Sequence, residues 1–281
     1  MTDLSRYTTL GTGGPARELA QPESVAEVEE LLRRDVPVAT IGLGSNLLVA
    51  DEGVDALVLK LAGGLAAVEV DGPLLRAGGG AANAVCLHRA RAAGLGGFEF
   101  ACAIPGTIGG GIRMNGGAYR GDFSQVLERA LVATADGTGW LTPAELGLSY
   151  RHSNLRHGQV VLQAELRLVP RPSEEIKAAV RELNARRKEA QPTNRRTFGS
   201  VFKNPDHDLS AGRMLEACGL KGHRIGGAQI SPKHANFIEN AGGARTEDAL
   251  ALIAEARRRA REQYGVELVH EVQLLGDIAI E

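Results

Sequence analysis

Glycine comes in clusters along this chain of 281 residues, and the clusters limit what it can fold into more than any other feature. The densest is Ala103-Ile104-Pro105-Gly106-Thr107-Ile108-Gly109-Gly110-Gly111, continuing to Asn115-Gly116-Gly117-Ala118-Tyr119. Glycine loses more conformational freedom on folding than any other residue, so such a run disfavours helix and strand alike. Phe98 to Gly121 is therefore read as a long loop, and long loops in compact domains are usually functional. Ile104, Pro105 and Ile108 are poor choices for a flexible linker. The run reads as an ordered cradle, where backbone approaches a ligand and any Cβ would intrude.

A second cluster, Ile41-Gly42-Leu43-Gly44-Ser45-Asn46-Leu47-Leu48-Val49, follows a strand-like run. Small residues after a strand gather backbone N–H groups in one concavity, which can hold a pyrophosphate without many cations. It is not the Rossmann fingerprint, because Leu47 stands where the third glycine belongs, and a Walker A sequence is absent. Taken alone, it serves equally well as a structural tight turn.

Three further features carry chemistry. In Thr197-Phe198-Gly199-Ser200-Val201-Phe202-Lys203-Asn204-Pro205 a hydroxyl stands beside a cation and an amide. Without G-x-S-x-G or an assignable triad, Ser200 is not a classical nucleophile, but its hydroxyl can relay a proton to a developing carbanion. A turn serine beside a surface lysine is the plainer alternative. Arg151, in Tyr150-Arg151-His152-Ser153, suits a substrate carboxylate through bidentate bonds. Glu271 interrupts an apolar run in Val269-His270-Glu271-Val272, where a strand-edge glutamate is the simpler reading.

Composition excludes several classes. With 34 acidic and 32 basic residues the net charge is −2, which offers no general surface for nucleic acid. Cys86, Cys102 and Cys218 lack C-x-x-C spacing, so neither a disulfide framework nor a zinc site is expected. His88, His157, His207 and His223 lack ligand spacing too, and no metal is expected. No basic-then-apolar leader is visible, and no apolar run approaches the ~20 residues that cross a bilayer. The expectation is a cytoplasmic protein with no membrane, nucleic-acid or evident protein partner.

Helix signals are Ser24-x-x-Glu27 opening a helix to about Arg34, a run from Ala81 to Ala93 stopped by Gly94, and Ser173 to about Glu189. Others lie near Ser210–Cys218 and Thr246–Tyr264, the latter with Leu250, Ile253, Ala254 and Ala260 as its core stripe. Thr142-Pro143-x-Glu145 predicts a short capped helix. Strands are expected at Val38–Gly42, Ala56–Leu61, Val68–Val70, Leu74–Ala77, Ala130–Ala135, Val160–Val169, Ala235–Ile238 and Glu267–Leu275. Pro170-Arg171-Pro172 is the candidate boundary. It divides a lobe over 1–170, with subdomains split near 55–60, from a lobe over 171–281 that includes the helix 173–189.

In this order the segments resemble the UDP-N-acetylenolpyruvoylglucosamine reductase family along nearly the whole chain. To those above are added Tyr7-Thr8-Thr9-Leu10-Gly11-Thr12-Gly13-Gly14-Pro15-Ala16, Gly219-Leu220-Lys221-Gly222, Ile225-Gly226-Gly227-Ala228-Gln229-Ile230-Ser231 and His234-Ala235-Asn236-Phe237-Ile238-Glu239-Asn240. The resemblance implies an α+β fold, with an FAD-binding lobe of the vanillyl-alcohol-oxidase (PCMH) type and a C-terminal α+β substrate lobe. It implies FAD as cofactor and NADPH as co-substrate, reducing UDP-N-acetylglucosamine enolpyruvate to UDP-N-acetylmuramate in peptidoglycan precursor synthesis. It assigns Ser200 as proton donor and places Arg151 and Glu271 at the reacting group. Gly42, Leu43, Gly44, Ser45, Asn46, Leu47, Ile104, Pro105, Gly106, Thr107, Gly109, Gly110 and Asn115 match cofactor positions. Tyr119, Tyr150, Lys203, Asn204 and His234 match positions at or near the substrate. The compact passage from Arg151 to Ser200 resembles the family's shorter form, which lacks an inserted tyrosine loop. The competing classes are an alcohol or hydroxy-acid oxidase sharing the FAD lobe, and a nucleotide-binding regulatory protein without chemistry.

Overall fold

The computed structural model describes residues 1–280. The chain forms two compact units, neither continuous in sequence: Leu19–Gly42 with Ala56–Arg187, and Met1–Glu18 with Leu43–Asp55 and the chain from Lys188 onward. This differs from the expected division at 170. Residues 1–18 and 43–55 belong with the C-terminal part, and the helix after Pro172 belongs to the other unit as far as Arg187.

The first unit (19–42 and 56–187) is built on an antiparallel sheet in the order Gly137–Leu141, Leu127–Thr134, Val160–Arg167, Leu74–Gly78, Val68–Asp71. Helix α1 (Val25–Leu32) opens on the predicted cap: Ser24 Oγ accepts from Glu27 N at 3.3 Å, while Glu27 accepts from Glu23 N at 3.0 Å. Its Val28 and Leu32 pack with Leu57, Leu59, Ala133, Val160 and Leu162. Helix α2 (Asn83–Ala92) ends at Gly94, which takes the left-handed φ of +67° expected of a terminating glycine. Cys86, Leu87 and Ala90 of α2 join a larger core with Phe98, Phe100 and Phe123, which meet edge to face at 5.3–5.9 Å.

The glycine-rich stretch departs from the loop expected of it. Glu99–Ala103 is a 3₁₀ turn, and Ile108–Arg113 is a short helix, α3. Thr107 caps it by accepting from Gly110 N at 3.4 Å, and Ile108 and Ile112 anchor it in the core. Packing explains the glycine in it. A Cβ on Gly111 would lie 2.3 Å from the Phe123 ring, so tertiary contact outweighs helix propensity. The Thr142–Glu145 cap also forms, with Glu145 accepting from Thr142 N at 2.8 Å, but only a turn follows before Gly147 at φ +57°. The exposed strand Gly137–Leu141 escaped the sequence reading because it lacks an apolar alternation.

In the second unit an antiparallel sheet runs Thr197–Ser200, Phe237–Asn240, Ala228–Ile230, Arg224–Ile225. Helix α4 (Ser173–Ala190) leads from the first unit into it. Helices α5 (Ala211–Ala217) and α6 (Thr246–Tyr264) share its core. The stripe on α6 is Ala249, Leu252, Ile253, Ala256 and Ala260, with Leu250 and Ala254 only partly buried, a small rotation from the one expected. Only Gln273–Leu275 of the predicted 267–275 strand forms, pairing in parallel with Leu47–Val49.

Candidate active site

In the first unit, Thr40, Ile41, Gly42, Lys60, Leu61, Gly79, Gly80, Thr107, Gly109, Gly110, Arg113, Leu155, Gln159, Val160 and Val161 line one cleft. Its walls are apolar with a few polar groups at the edge, the usual makeup of a site for an aromatic cofactor. Thus Gly42, Thr107, Gly109 and Gly110, matched to cofactor positions above, share one cleft. Glycine keeps it open by two means. At Gly79 a Cβ would lie 1.8 Å from the Val161 carbonyl, and at Gly42 one would lie 2.6 Å from Thr107 Oγ1. At Gly110, by contrast, a Cβ would meet only Thr107 Oγ1, at 3.6 Å, so here the missing side chain leaves space in the cradle.

Ile104 and Gly106 are held from beneath. Buried Asn83 donates Nδ2 to the Ile104 carbonyl at 3.1 Å and its backbone N to the Gly106 carbonyl at 3.0 Å. Its Oδ1 is a buried acceptor with no protein partner. Asn83, Lys60, Arg113 and Gln159 were missed in the sequence, having no motif of their own. Burial holds the Arg113 pKa below the ordinary guanidinium range, and its Nη1 donates to the Arg156 carbonyl at 3.2 Å. An arginine so placed, a cradle without side chains and apolar walls fit a dinucleotide such as FAD.

Asn115 is different. It is 2% exposed, and both ends of its amide are engaged by protein: Nδ2 donates to the Ser149 carbonyl at 2.9 Å and Oδ1 accepts from Ser124 N at 2.9 Å. Its side chain serves the fold beside Arg151 rather than a cofactor. Ser149 and His152 exchange backbone bonds of 3.1 Å in both directions, leaving Tyr150 and Arg151 as the two central residues of a tight turn. Arg151 has φ +53°, and its guanidinium donates to the Gly117 carbonyl and lies 5.1 Å from the Tyr150 ring centroid. Tyr119 is also in the left-handed region, at φ +52°, and like Tyr150 is exposed.

Ser200 and Glu271 come together in the second unit. From Thr197 to Ser200 the strand advances three residues while its partner goes from Glu239 to Phe237, two residues. That is a bulge, with Gly199 at φ +85°, and bulges re-aim the side chain that follows. Glu271 N donates to the Val201 carbonyl at 2.7 Å, setting Glu271 beside the serine strand. Asn46 donates Nδ2 to the Glu271 carbonyl at 3.1 Å, so this residue, matched to a cofactor position, also holds the glutamate backbone. Buried Asn236 brackets Phe202, accepting from its N at 2.9 Å and donating to its O at 2.8 Å. An asparagine in the run of small and apolar residues just before the strand Phe237–Asn240 was the signal for it.

The remaining assignments spread over the second unit. Gly44, at φ +62°, accepts from Thr9 N at 3.1 Å, while Leu43 is exposed and Ser45 half-buried. Leu47 lies on the strand paired with Gln273. Lys203 N bonds the Val269 carbonyl at 2.9 Å, and Asn204 Oδ1 accepts from Ala211 N at 3.2 Å at the start of α5. His234 packs on Phe237 and over Gly212; burial, and then Lys221, hold its pKa below the ordinary 6.5. Among the described residues no cluster of His, Cys, Asp and Glu could hold a metal, the cysteines are free thiols, and no helix is long and apolar enough to cross a membrane.

These features were compared with known proteins. A family model described as an FAD binding domain matches residues 16–140, and one described as the C-terminal domain of UDP-N-acetylenolpyruvoylglucosamine reductase matches 191–275. UDP-N-acetylenolpyruvoylglucosamine reductase 2 of Symbiobacterium thermophilum is 44% identical over 280 residues, covering 97% of this chain and 90% of its own. This chain belongs to the UDP-N-acetylenolpyruvoylglucosamine reductase family. The reductase of Bacillus velezensis is 42% identical over 282 residues, covering 97% of this chain and 92% of its own. The crystal structure of the Thermus caldophilus reductase aligns with a TM-score of 0.87 at 39% identity over 97% of each chain. The family is one of flavin-dependent oxidoreductases, and the cleft residues from Thr40 to Arg113 lie within the part matched by the FAD binding domain.

Proposed function

We propose that this member of the family reduces UDP-N-acetylglucosamine enolpyruvate to UDP-N-acetylmuramate with NADPH, in peptidoglycan precursor synthesis. Similarity to reductases of that name over nearly the full length supports it. The observation that carries it is the bulge at Ser200, whose strand is bonded at Val201 to the backbone of Glu271, so that two distant parts of the chain lie side by side.

The cleft lined by Gly42, Thr107, Gly109, Gly110 and Arg113 would hold FAD, which would supply hydride-transfer chemistry between NADPH and the enolpyruvyl carbon C3. The residues of the chain manage charge and protons. Adding hydride at C3 leaves negative charge at C2 and on the carboxylate; Arg151 opposes it, far more strongly in a water-poor site than at a surface. Ser200 Oγ supplies the proton to C2, and Glu271, in its carboxylic acid form, donates a hydrogen bond to the enolate as it forms. Tyr119, Tyr150, Lys203, Asn204 and His234 contact the sugar nucleotide.

Anaerobic absorbance of the flavoprotein tests the reading. NADPH bleaches the flavin bands, and colour returns only on adding UDP-N-acetylglucosamine enolpyruvate. Bleaching without recovery would assign the substrate to another class, and failure to bind flavin would overturn the proposal.

A further inference from the structure

We propose that Asn115 is a positioning residue for Arg151, acting through the backbone of the turn that carries it; this rests on the role for Arg151 proposed above. Among the described residues, four that are not glycine have left-handed backbone: Asn115 at φ +38°, Tyr119 at +52°, Arg120 at +70° and Arg151 at +53°. All lie in the hairpin Asn115–Asp122 or in the turn Ser149–His152. Backbone of this kind is disfavoured for residues other than glycine and persists only where the surroundings enforce it.

The turn itself is unusual in composition. Its second central residue has positive φ, a place normally given to glycine or asparagine, and here it is an arginine. A charged side chain is thereby set at the tip of a tight two-residue turn, with little backbone freedom left. Two contacts then fix it. Asn115 Nδ2 bonds the Ser149 carbonyl at the base of the turn, at 2.9 Å, and the Arg151 guanidinium bonds the Gly117 carbonyl two residues beyond Asn115. Asn115 Oδ1 is itself locked by Ser124 N at 2.9 Å, on the far side of the hairpin. One short segment, 115–117, thus holds both the guanidinium of the arginine and the first residue of its turn.

Gly117 completes the device. A Cβ there would lie 3.1 Å from Arg151 Nη1 and 2.7 Å from Asp122 Cβ, so a side chain would push against the guanidinium. Asn115 is buried at 2% exposure and cannot reach a substrate without leaving both partners. Its effect on chemistry is therefore the geometry of Arg151.

The test uses the holoenzyme and separates the two half-reactions by stopped-flow absorbance. Asn115→Asp keeps the volume and the acceptor for Ser124 N but replaces the donor to Ser149 O with a repelling oxygen. It is expected to slow reoxidation of reduced flavin by UDP-N-acetylglucosamine enolpyruvate by about tenfold, the worth of one lost buried bond. FAD content and reduction by NADPH stay at wild-type values. In an Arg151→Ala background the same substitution should cause no further loss, because a positioning residue has nothing left to position. Additive losses, or wild-type reoxidation in Asn115→Asp alongside a defective Arg151→Ala, would overturn the positioning role alone. An Arg151→Ala enzyme with undiminished reoxidation would remove the role of Arg151, and the proposal with it. Should Asn115→Asp prove unstable, Gly117→Ala serves as second variant: the same half-reaction slows and flavin reduction stays intact, whereas wild-type reoxidation would count against the device.

Discussion

Ser200, the proton donor proposed above, shows how little of a residue's geometry lies in its own identity. Gly199 at φ +85° and the extra residue in the strand aim it, and Asn236 pins the chain that follows by both sides of Phe202. Replacing Ser200 with alanine should leave this frame intact and reduce substrate-driven flavin reoxidation by on the order of 100-fold, the usual loss of a general acid. Reduction by NADPH should be unchanged, and equal loss of both half-reactions would show damage to the fold instead. The same segment holds a pH effect. His234 has its pKa held below 6.5 by burial, so above pH 6.5 it is neutral in folded and unfolded chains alike. As pH falls below 6.5 the unfolded chain takes up a proton before the folded one, and stability is lost down to the folded pKa. Thermal melts from about pH 7 to about pH 5 should therefore fall more steeply for wild type than for His234→Gln. Parallel curves would mean His234 titrates alike in both states.

Among the elements, caps and terminators were the most legible. Ser24, Ser210 and Gly94 each stand where the sequence placed a helix end, because a cap is a local hydrogen bond or a local φ. Helix α3 was not legible. Its glycines argue against a helix on propensity, and what makes one is the Phe123 ring, which lies against Gly111 from outside the segment. Among the site residues the motif glycines of the cleft were readable as a group, but Lys60, Arg113 and Gln159 reach it from separate elements and carry no pattern. Two of the three glycines of α3 can be told apart by experiment. Gly111→Ala drives a methyl into the Phe123 ring and should lower stability by about 1–3 kcal/mol. Gly110→Ala meets only Thr107 Oγ1 at 3.6 Å, so it should hold or raise the Tm, since alanine favours helix by ~1 kcal/mol. It fills the cradle, however, and FAD titrated by fluorescence should bind at least several-fold more weakly. Unchanged FAD affinity in Gly110→Ala would show that this glycine serves the helix alone.

At the scale of the whole molecule, the sequence order misleads. A composition break at Pro170-Arg171-Pro172 is visible, yet the compact units are discontinuous, and the segment 43–55 belongs with the C-terminal part. Nothing local marks this. The cause is the parallel pairing of Leu47–Val49 with Gln273–Leu275 and the bond from Gln273 N to the Asn46 carbonyl at 3.0 Å, contacts across most of the chain's length. Asp51 makes the strongest link in that attachment. Helix α6 has Arg245 at its N-cap, which cannot accept a hydrogen bond, and Asp51 takes over the task from the inserted segment. Its carboxylate accepts from Thr246 N at 2.9 Å and Glu247 N at 3.0 Å, while Thr246 Oγ1 bonds Thr12 Oγ1 at 2.9 Å. A negative charge at that end also complements the helix dipole. Asp51→Ala therefore uncaps a 19-residue helix and loosens the inserted segment together, and should lower stability in urea by about 1–2 kcal/mol. Asp51→Asn keeps an acceptor and should recover most of that loss. If alanine and asparagine are equally damaging, the charge rather than the cap holds the segment; if neither has an effect, the parallel strand pair suffices to fasten residues 43–55 to the C-terminal part.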